Sequence, residues 1–232
     1  MKISAVIPAN NEMHSVGDVV LSCKAYSQEV IVVDDGSTDD TAQLSQAAGA
    51  KVIRKATNLG LVKSTQIGLR AASGDIIVTL DADGQHDPSD IPNLIKPIIS
   101  GNADLVLEKR DEPPPLSERL IARLVGSHLN CSDVGTGFRA FRRELAENIR
   151  LRGFCLCGSL VLEAHRRGGR IVEVPTRIQP RKFGESHWAS SRARVHFQQT
   201  IILLFPLLKH YVAHRFLGNE SLPIRNRPRK VR

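Results

Sequence analysis

Five short runs rich in Val and Ile, separated by stretches with helical spacing, constrain this chain more than any other feature. The runs at 3–7 (ISAVI), 30–33 (VIVV), 51–53 (KVI), 76–80 (IIVTL) and 104–107 (DLVL) read as buried strands, and 13–26, 39–48, 61–73 and 89–100 read as helices. Strands joined through helices are parallel and covered on both faces, which is why they are apolar throughout and do not alternate. The sequence therefore predicts an α/β fold with a Rossmann-like, mostly parallel sheet and helices on both faces. In such open sheets the ligand lies beyond the carboxyl ends of the strands, so the segments that follow each run are where function is sought.

Those segments are acidic. After the first strand comes Pro8-Ala-Asn-Asn-Glu12, after the second Asp34-Asp-Gly-Ser-Thr-Asp39, and after the fourth Asp81-Ala-Asp-Gly-Gln-His-Asp87. Each loop has a purely structural explanation, since Asp39 or Ser37 can cap the next helix and Asp-Gly pairs form turns. Three of them on one rim point to function. Carboxylates brought together repel, and a divalent cation relieves the repulsion; oxygen ligands favour Mg²⁺ or Mn²⁺.

Charge is distributed to match. Residues 1–100 hold 8 basic and 12 acidic side chains, residues 101–214 hold 18 and 11, and residues 215–232 hold 6 and 1. A cation near the first half and an anionic partner near the second are the expectation, with no nucleic acid among the partners. The four cysteines, Cys23, Cys131, Cys155 and Cys157, have no zinc spacing and read as reduced, mostly buried thiols. The N-terminus lacks the pattern of a signal peptide, and Pro206 interrupts the longest apolar run, Ile201 to Leu208, so a cytoplasmic protein without a membrane span is expected.

Beyond residue 110 the pattern changes. Glu112-Pro-Pro-Pro115 reads as a stiff connector, 117–129 as a basic amphipathic helix, and 133–141 as a Gly-rich loop entering an apolar segment. A helix at 158–167, a strand at 170–174 and a basic loop at 181–187 complete a body spanning residues 1–190. Residues 191–218 read as an amphipathic helix in which Arg192, Arg194, His196 and Lys209 oppose Val195, Phe197, Ile201, Leu204 and Leu208. The basic segment 219–232 is expected to be disordered.

Taken in order, VIPANNE (6–12), VVDDGSTD (32–39), NLG (58–60), DADGQHDP (81–88), TGFRAF (136–141) and RKFGES (181–186) resemble the family 2 glycosyltransferases of GT-A fold. Within that family the likeness is to the branch of dolichyl-phosphate mannose synthase and the polyprenyl-phosphate glycosyltransferases. Asn10 stands where much of the family has an aromatic residue, and His187 where the last motif usually closes with Lys.

The resemblance implies an inverting transferase that moves a hexose from a nucleotide-diphosphate sugar, of the GDP-mannose or UDP-glucose type, to a polyprenyl phosphate. It implies a donor site at Pro8, Ala9, Glu12, Asp35, Asn58, Gly60, Asp81 and Ala82, with Asp81, Asp83 and Gln85 around the metal. A lipid phosphate is already anionic and needs cationic positioning in place of a strong base. Arg110, Arg119 or Arg123, Arg139 and Arg181 are the candidates for that task, with Arg110 and Arg181 inside family motifs. Asp133 matches an acidic position near the reacting groups, and it equally fits a loop carboxylate paired with Arg139. A hydroxyl acceptor, on a saccharide or protein, would instead need Asp133 as general base. A nucleotide-sugar-binding module without turnover is the rival from another class; a phosphotransfer receiver domain would leave residues 130–187 without a role. The C-terminal helix and basic tail are expected to lie on an anionic membrane surface, or a membrane partner subunit delivers the enzyme to it.

Overall fold

One reversal in the direction of strand order governs where a ligand can enter. The computed structural model describes residues 1–111, 116–126, 129, 131–151, 153, 156–181 and 183. Among these residues the strands are β1 (Ile3–Ala9), β2 (Glu29–Asp34), β3 (Lys51–Arg54), β4 (Ile76–Thr79), β5 (Leu105–Arg110), β6 (Arg139–Arg142) and β7 (Ile171–Thr176). The helices are α1 (Val16–Lys24), α2 (Thr41–Ala47), α3 (Leu61–Ala71), α4 (Ile91–Ile99), α5 (Leu116–Gly126), α6 (Arg143–Asn148) and α7 (Ser159–Arg166). They build one sheet in the order β3-β2-β1-β4-β6-β5-β7. The chain winds outward from β1 to β3 and then returns to lay β4 on the other side of β1. The crevice between the ends of β1 and β4 is therefore the topological switch point.

Side chains leave a strand on alternate faces, and here both faces are buried. Ala5, Ile7, Val30, Val32, Ile76, Val78 and Val106 face the layer of α1 and α4. Val6, Ile31, Val33, Ile77, Leu105 and Leu107 face the layer of α3, α5, α6 and α7. Cys23, Cys131 and Cys157 are buried, and Cys155 lies outside the described residues. No helix among the described residues is long and apolar enough to cross a membrane. The Pro-rich connector at 112–115, His187, the helix expected at 191–218 and the tail lie outside the described residues.

The sequence pattern misses the short helix α6 and, more consequentially, the strand β6. It lies within the segment read as a Gly-rich loop and apolar run, and it pairs antiparallel with both β4 and β5 in the middle of the sheet. Its four residues, RAFR, are too short and too charged at the ends to register as a strand. Arg139 is nonetheless fully buried.

Asp104 anchors this second half. Just before β5, its carboxylate accepts from Arg142 Nε at 3.0 Å, Arg170 N at 3.0 Å and Arg170 Nε at 3.1 Å, tying β5 to one end each of β6 and β7. Burial opposes ionisation of this carboxyl, but the Arg170 and Arg142 bonds outweigh it and hold the pKa below the ordinary value. Its contribution to stability is thus complete above the unfolded value of about 3.9 and is lost as the pH falls through the lower folded value. Asp104→Ala is expected to lower the urea-unfolding free energy by about 1.5–3 kcal/mol at pH 7, the range for charge-assisted hydrogen bonds. The loss should shrink in acid; a variant as stable as the parent at pH 7 would refute this anchoring role.

Candidate active site

The loops that follow β1 and β2 are fastened to each other. Asn11 N donates to Ser37 Oγ at 2.9 Å, Thr38 N to Asn11 Oδ1 at 2.9 Å and Glu12 N to Thr41 Oγ1 at 2.8 Å. Asn10 Nδ2 reaches Asp35 O at 2.9 Å, so this asparagine serves as a loop tie. Asp39 accepts from Thr41 N at 3.0 Å at the start of α2, whose N-cap is the next residue, Asp40. The buried Asp35 accepts from Leu59 N at 2.8 Å and Gly60 N at 2.7 Å, and Asn58 Oδ1 also accepts from Gly60 N, at 3.0 Å. Asp35, Asn58 and Gly60 are thereby brought together beside Pro8 and Ala9 at the end of β1. Ala82 is buried in the core on the α1 side.

Asp81 and Asp83 follow β4 at the same rim. The Asp81 side chain is 40% exposed and sits 3.3 Å from His86 Nε2. The Asp83 carboxylate accepts from Gln85 N at 3.1 Å and lies 3.2 Å from Arg181 Nη1. Arg181 also pairs with Glu12 at 2.6 Å, so its guanidinium spans two carboxylates assigned to the donor side. Gln85 Nε2 donates to Gln179 O at 3.3 Å, turning this side chain toward the segment after β7 that leads to Arg181.

The two aspartates are driven apart in acidity. Burial and the neighbouring Asp81 charge raise Asp83 above the ordinary carboxylate value, against the pull of Gln85 N–H, His86 and Arg181. Burial also opposes ionisation of Asp81, but the bond and charge of His86, with the charges of Arg139 and Arg110, hold it lower than usual. Such a pair fits a divalent cation, whose charge would remove the mutual repulsion. No three His, Cys, Asp or Glu side chains among the described residues form a complete cage. Mg²⁺ and Mn²⁺ are held by one or two carboxylates, with phosphate oxygens and water filling the other positions, a requirement Asp81 and Asp83 can meet.

Across the rim, Arg110 at the end of β5 is clamped by Asp133, with Nε to Oδ2 and Nη2 to Oδ1 both at 2.6 Å, and by Glu118 Oε2 at 2.6 Å. Asp133 thus pairs with Arg110. Arg119 and Arg123 are exposed on α5, whereas Arg139 is buried, with its charge acting on Asp81. The loop from Asp133 to Gly137 separates the two halves, and its glycines are fixed by close approach. A Cβ on Gly135 would strike the Glu118 carboxylate, and one on Gly137 would strike that of Asp81.

Several residues to which the sequence assigned no role complete the site. His86 is buried between Asp81 and Glu108; burial opposes its charge, but its bonds to the two carboxylates and their charges push its pKa up to about 10. Glu108, fully buried on β5, accepts from Thr136 Oγ1 and from Thr176 Oγ1. Glu173 on β7 accepts from Ser132 N and Asp133 N, both at 2.6 Å, and so holds the loop that carries Asp133. The available signal was Glu108 itself, a carboxylate following an apolar strand run.

Gly137→Ala tests the close approach. The added methyl is expected to displace Asp81 and weaken Mn²⁺ binding about 10–100-fold, the range for disturbed outer-shell partners. Calorimetry with Mn²⁺ measures this, and unchanged affinity would show that the contact does not matter.

Residues 4–150 match Glycosyl transferase family 2. The chain is 32% identical over 210 residues to the dolichol-phosphate mannosyltransferase of Pyrococcus furiosus, which covers 80% of this chain and 59% of that longer protein. It is 30% identical over 213 residues to the undecaprenyl-phosphate mannosyltransferase of Micrococcus luteus, covering 80% of this chain and 87% of that one. Glucosyl-3-phosphoglycerate synthase from Mycobacterium tuberculosis, solved with Mn²⁺, uridine-diphosphate-glucose and phosphoglyceric acid, has a TM-score of 0.76 at 25% identity, over 89% of this chain and 79% of that one. With its family motifs gathered on the rim of a seven-stranded, mostly parallel sheet, the chain belongs to glycosyltransferase family 2 and has the GT-A fold.

Proposed function

We propose that the protein transfers a hexose from a nucleotide-diphosphate sugar to a polyprenyl phosphate, with inversion at the anomeric carbon. The observation that carries this reading is the clamp on Asp133. Both of its oxygens accept from Arg110 at 2.6 Å, which leaves the carboxylate badly placed to take a proton from a hydroxyl acceptor. An acceptor that arrives as an anion needs no such base.

In this reading Glu12, Asp35, Asn58 and Gly60, with Pro8 and Ala9, receive the nucleoside, and Asp81 and Asp83 would hold Mg²⁺ or Mn²⁺ against the diphosphate. The cation, when bound, would neutralise negative charge that grows on the leaving diphosphate. A phosphate oxygen of the acceptor, oriented by Arg110, attacks the anomeric carbon from the face opposite the diphosphate. The bond from that carbon to the diphosphate oxygen breaks with its electron pair, leaving a nucleoside diphosphate and a glycosyl phosphate lipid. Arg181, expected from the resemblance to serve the acceptor, is assigned to the diphosphate side because its contacts are Glu12 and Asp83.

The acceptor's lipid character is supported by α5. Leu116 and Leu120 are 80% and 55% exposed on the helix that also exposes Arg119 and Arg123, a combination suited to an anionic bilayer surface. The two polyprenyl-phosphate mannosyltransferases among the relatives point the same way. A second reading, transfer to a small anionic acceptor, is favoured by the likeness to a synthase solved with phosphoglyceric acid.

Three outcomes are expected. GDP-mannose or UDP-glucose should raise the melting temperature only with Mn²⁺ present, and Asp83→Asn should abolish that shift while the protein stays folded. Arg110→Ala should raise the KM for polyprenyl phosphate or lower kcat with little change in donor affinity; a collapse of donor affinity would put Arg110 on the wrong side. The Leu116→Ser, Leu120→Ser double variant should sediment less with anionic vesicles at low salt. Equal sedimentation, together with turnover of 3-phosphoglycerate, would favour the soluble acceptor.

A further inference from the structure

Glu108 is a fully buried carboxylate that the proposed transfer leaves without a task. Its side chain is fully shielded from solvent, a costly position unless every oxygen is matched. It is matched: Thr136 and Thr176 hydroxyls donate to its two oxygens, and His86 Nδ1 lies 3.1 Å from Oε2. The other ring nitrogen of His86 faces Asp81 Oδ2 at 3.3 Å. The ring therefore bridges two carboxylates, one at each of its nitrogens. The side chain is thus a strut running from β5 to the loop after β4, with its far end fixed through Glu108 to β7 and to the 133–137 loop.

We infer that His86 is a positioning residue, braced by Glu108, that fixes the Asp81 carboxylate in the orientation required to bind a divalent cation with the donor diphosphate. This rests on the reading of Asp81 and Asp83 as the donor and metal site. Asp81 needs such a brace because it is 40% exposed and repelled by Asp83, whereas Asp83 already has Gln85 N–H and Arg181. Gly137 lies close against the same carboxylate, so His86 and Gly137 together confine Asp81. Outer-shell partners of this kind orient metal-binding groups and alter affinity without touching the ion. The competing explanation is packing, since the His86 ring also lies 5.4 Å from that of Phe138.

Two substitutions separate the roles. In His86→Gln the amide nitrogen falls near the place of Nε2 and keeps a donor to Asp81; in His86→Asn it falls near Nδ1 and keeps only the donor to Glu108. Mn²⁺ binding is read by electron paramagnetic resonance, alone and with UDP or GDP, alongside thermal melts. The Gln variant should stay within about threefold of the parent and the Asn variant should bind about tenfold or more weakly, at similar melting temperatures. Equal Mn²⁺ affinity in the two variants overturns the inference and leaves the donor–metal reading standing. A parent protein that ignores Mn²⁺ with either nucleotide removes that reading and the inference together. Should His86→Asn fail to fold, Glu108→Gln takes its place: a fall of about threefold or more supports the brace, and parental affinity overturns it.

Discussion

Neutralising carboxylates that the fold forces together is the constraint on which the rest of the rim depends. Strand ends at a switch point converge, and the loops here bring Glu12, Asp35, Asp81 and Asp83 to one edge, with Asp133 and Glu118 across from them. Each is matched in a different way. Asp35 takes backbone amides of the next loop, Asp81 takes His86, Glu12 and Asp83 share Arg181, and Asp133 and Glu118 share Arg110. The result is a preformed but charge-balanced cleft in which ligands replace internal partners and need not create order.

That balance explains how two halves of different charge work at one site. In the proposed transfer the donor half ends in acidic groups whose repulsion invites a cation, and the acceptor half presents Arg110, already oriented by Asp133 and Glu118. An arginine clamped bidentately is held in one plane, which reduces the ordering needed when a phosphate arrives. The 133–137 loop is the partition between the halves. Its two glycines let Asp81 and the Arg110–Glu118 pair approach the backbone from opposite sides. The anchors at Asp104 and Glu173 fix β5, β6, β7 and the loop, so the partition is carried by the sheet.

The alternating elements were legible in the sequence because parallel strands buried on both faces leave unbroken Val and Ile runs. The acidic loops were legible because the carboxyl edge of such a sheet is known before any coordinate is. β6 was not, since its four residues carry arginines at both ends and Arg139 is nonetheless buried, its charge acting on Asp81. Arg181 was placed on the acceptor side by its motif. Its partner Glu12 is 169 residues away in the chain, and no local pattern encodes a contact of that span. The same holds for the link from Thr176 through Glu108 and His86 to Asp81: Thr176 ends β7, Glu108 lies within β5 and the other two follow β4, so their contact follows from register and not from spacing.

The central claim is that this rim joins a hexose to a lipid phosphate. Mass spectrometry of undecaprenyl phosphate incubated with the protein, GDP-mannose or UDP-glucose, and Mn²⁺ tests it most directly. The account predicts a hexosyl phosphate lipid, formed with Mn²⁺ and lost when EDTA is added. Unmodified lipid with both donors, or equal product in the presence of chelator, would contradict it.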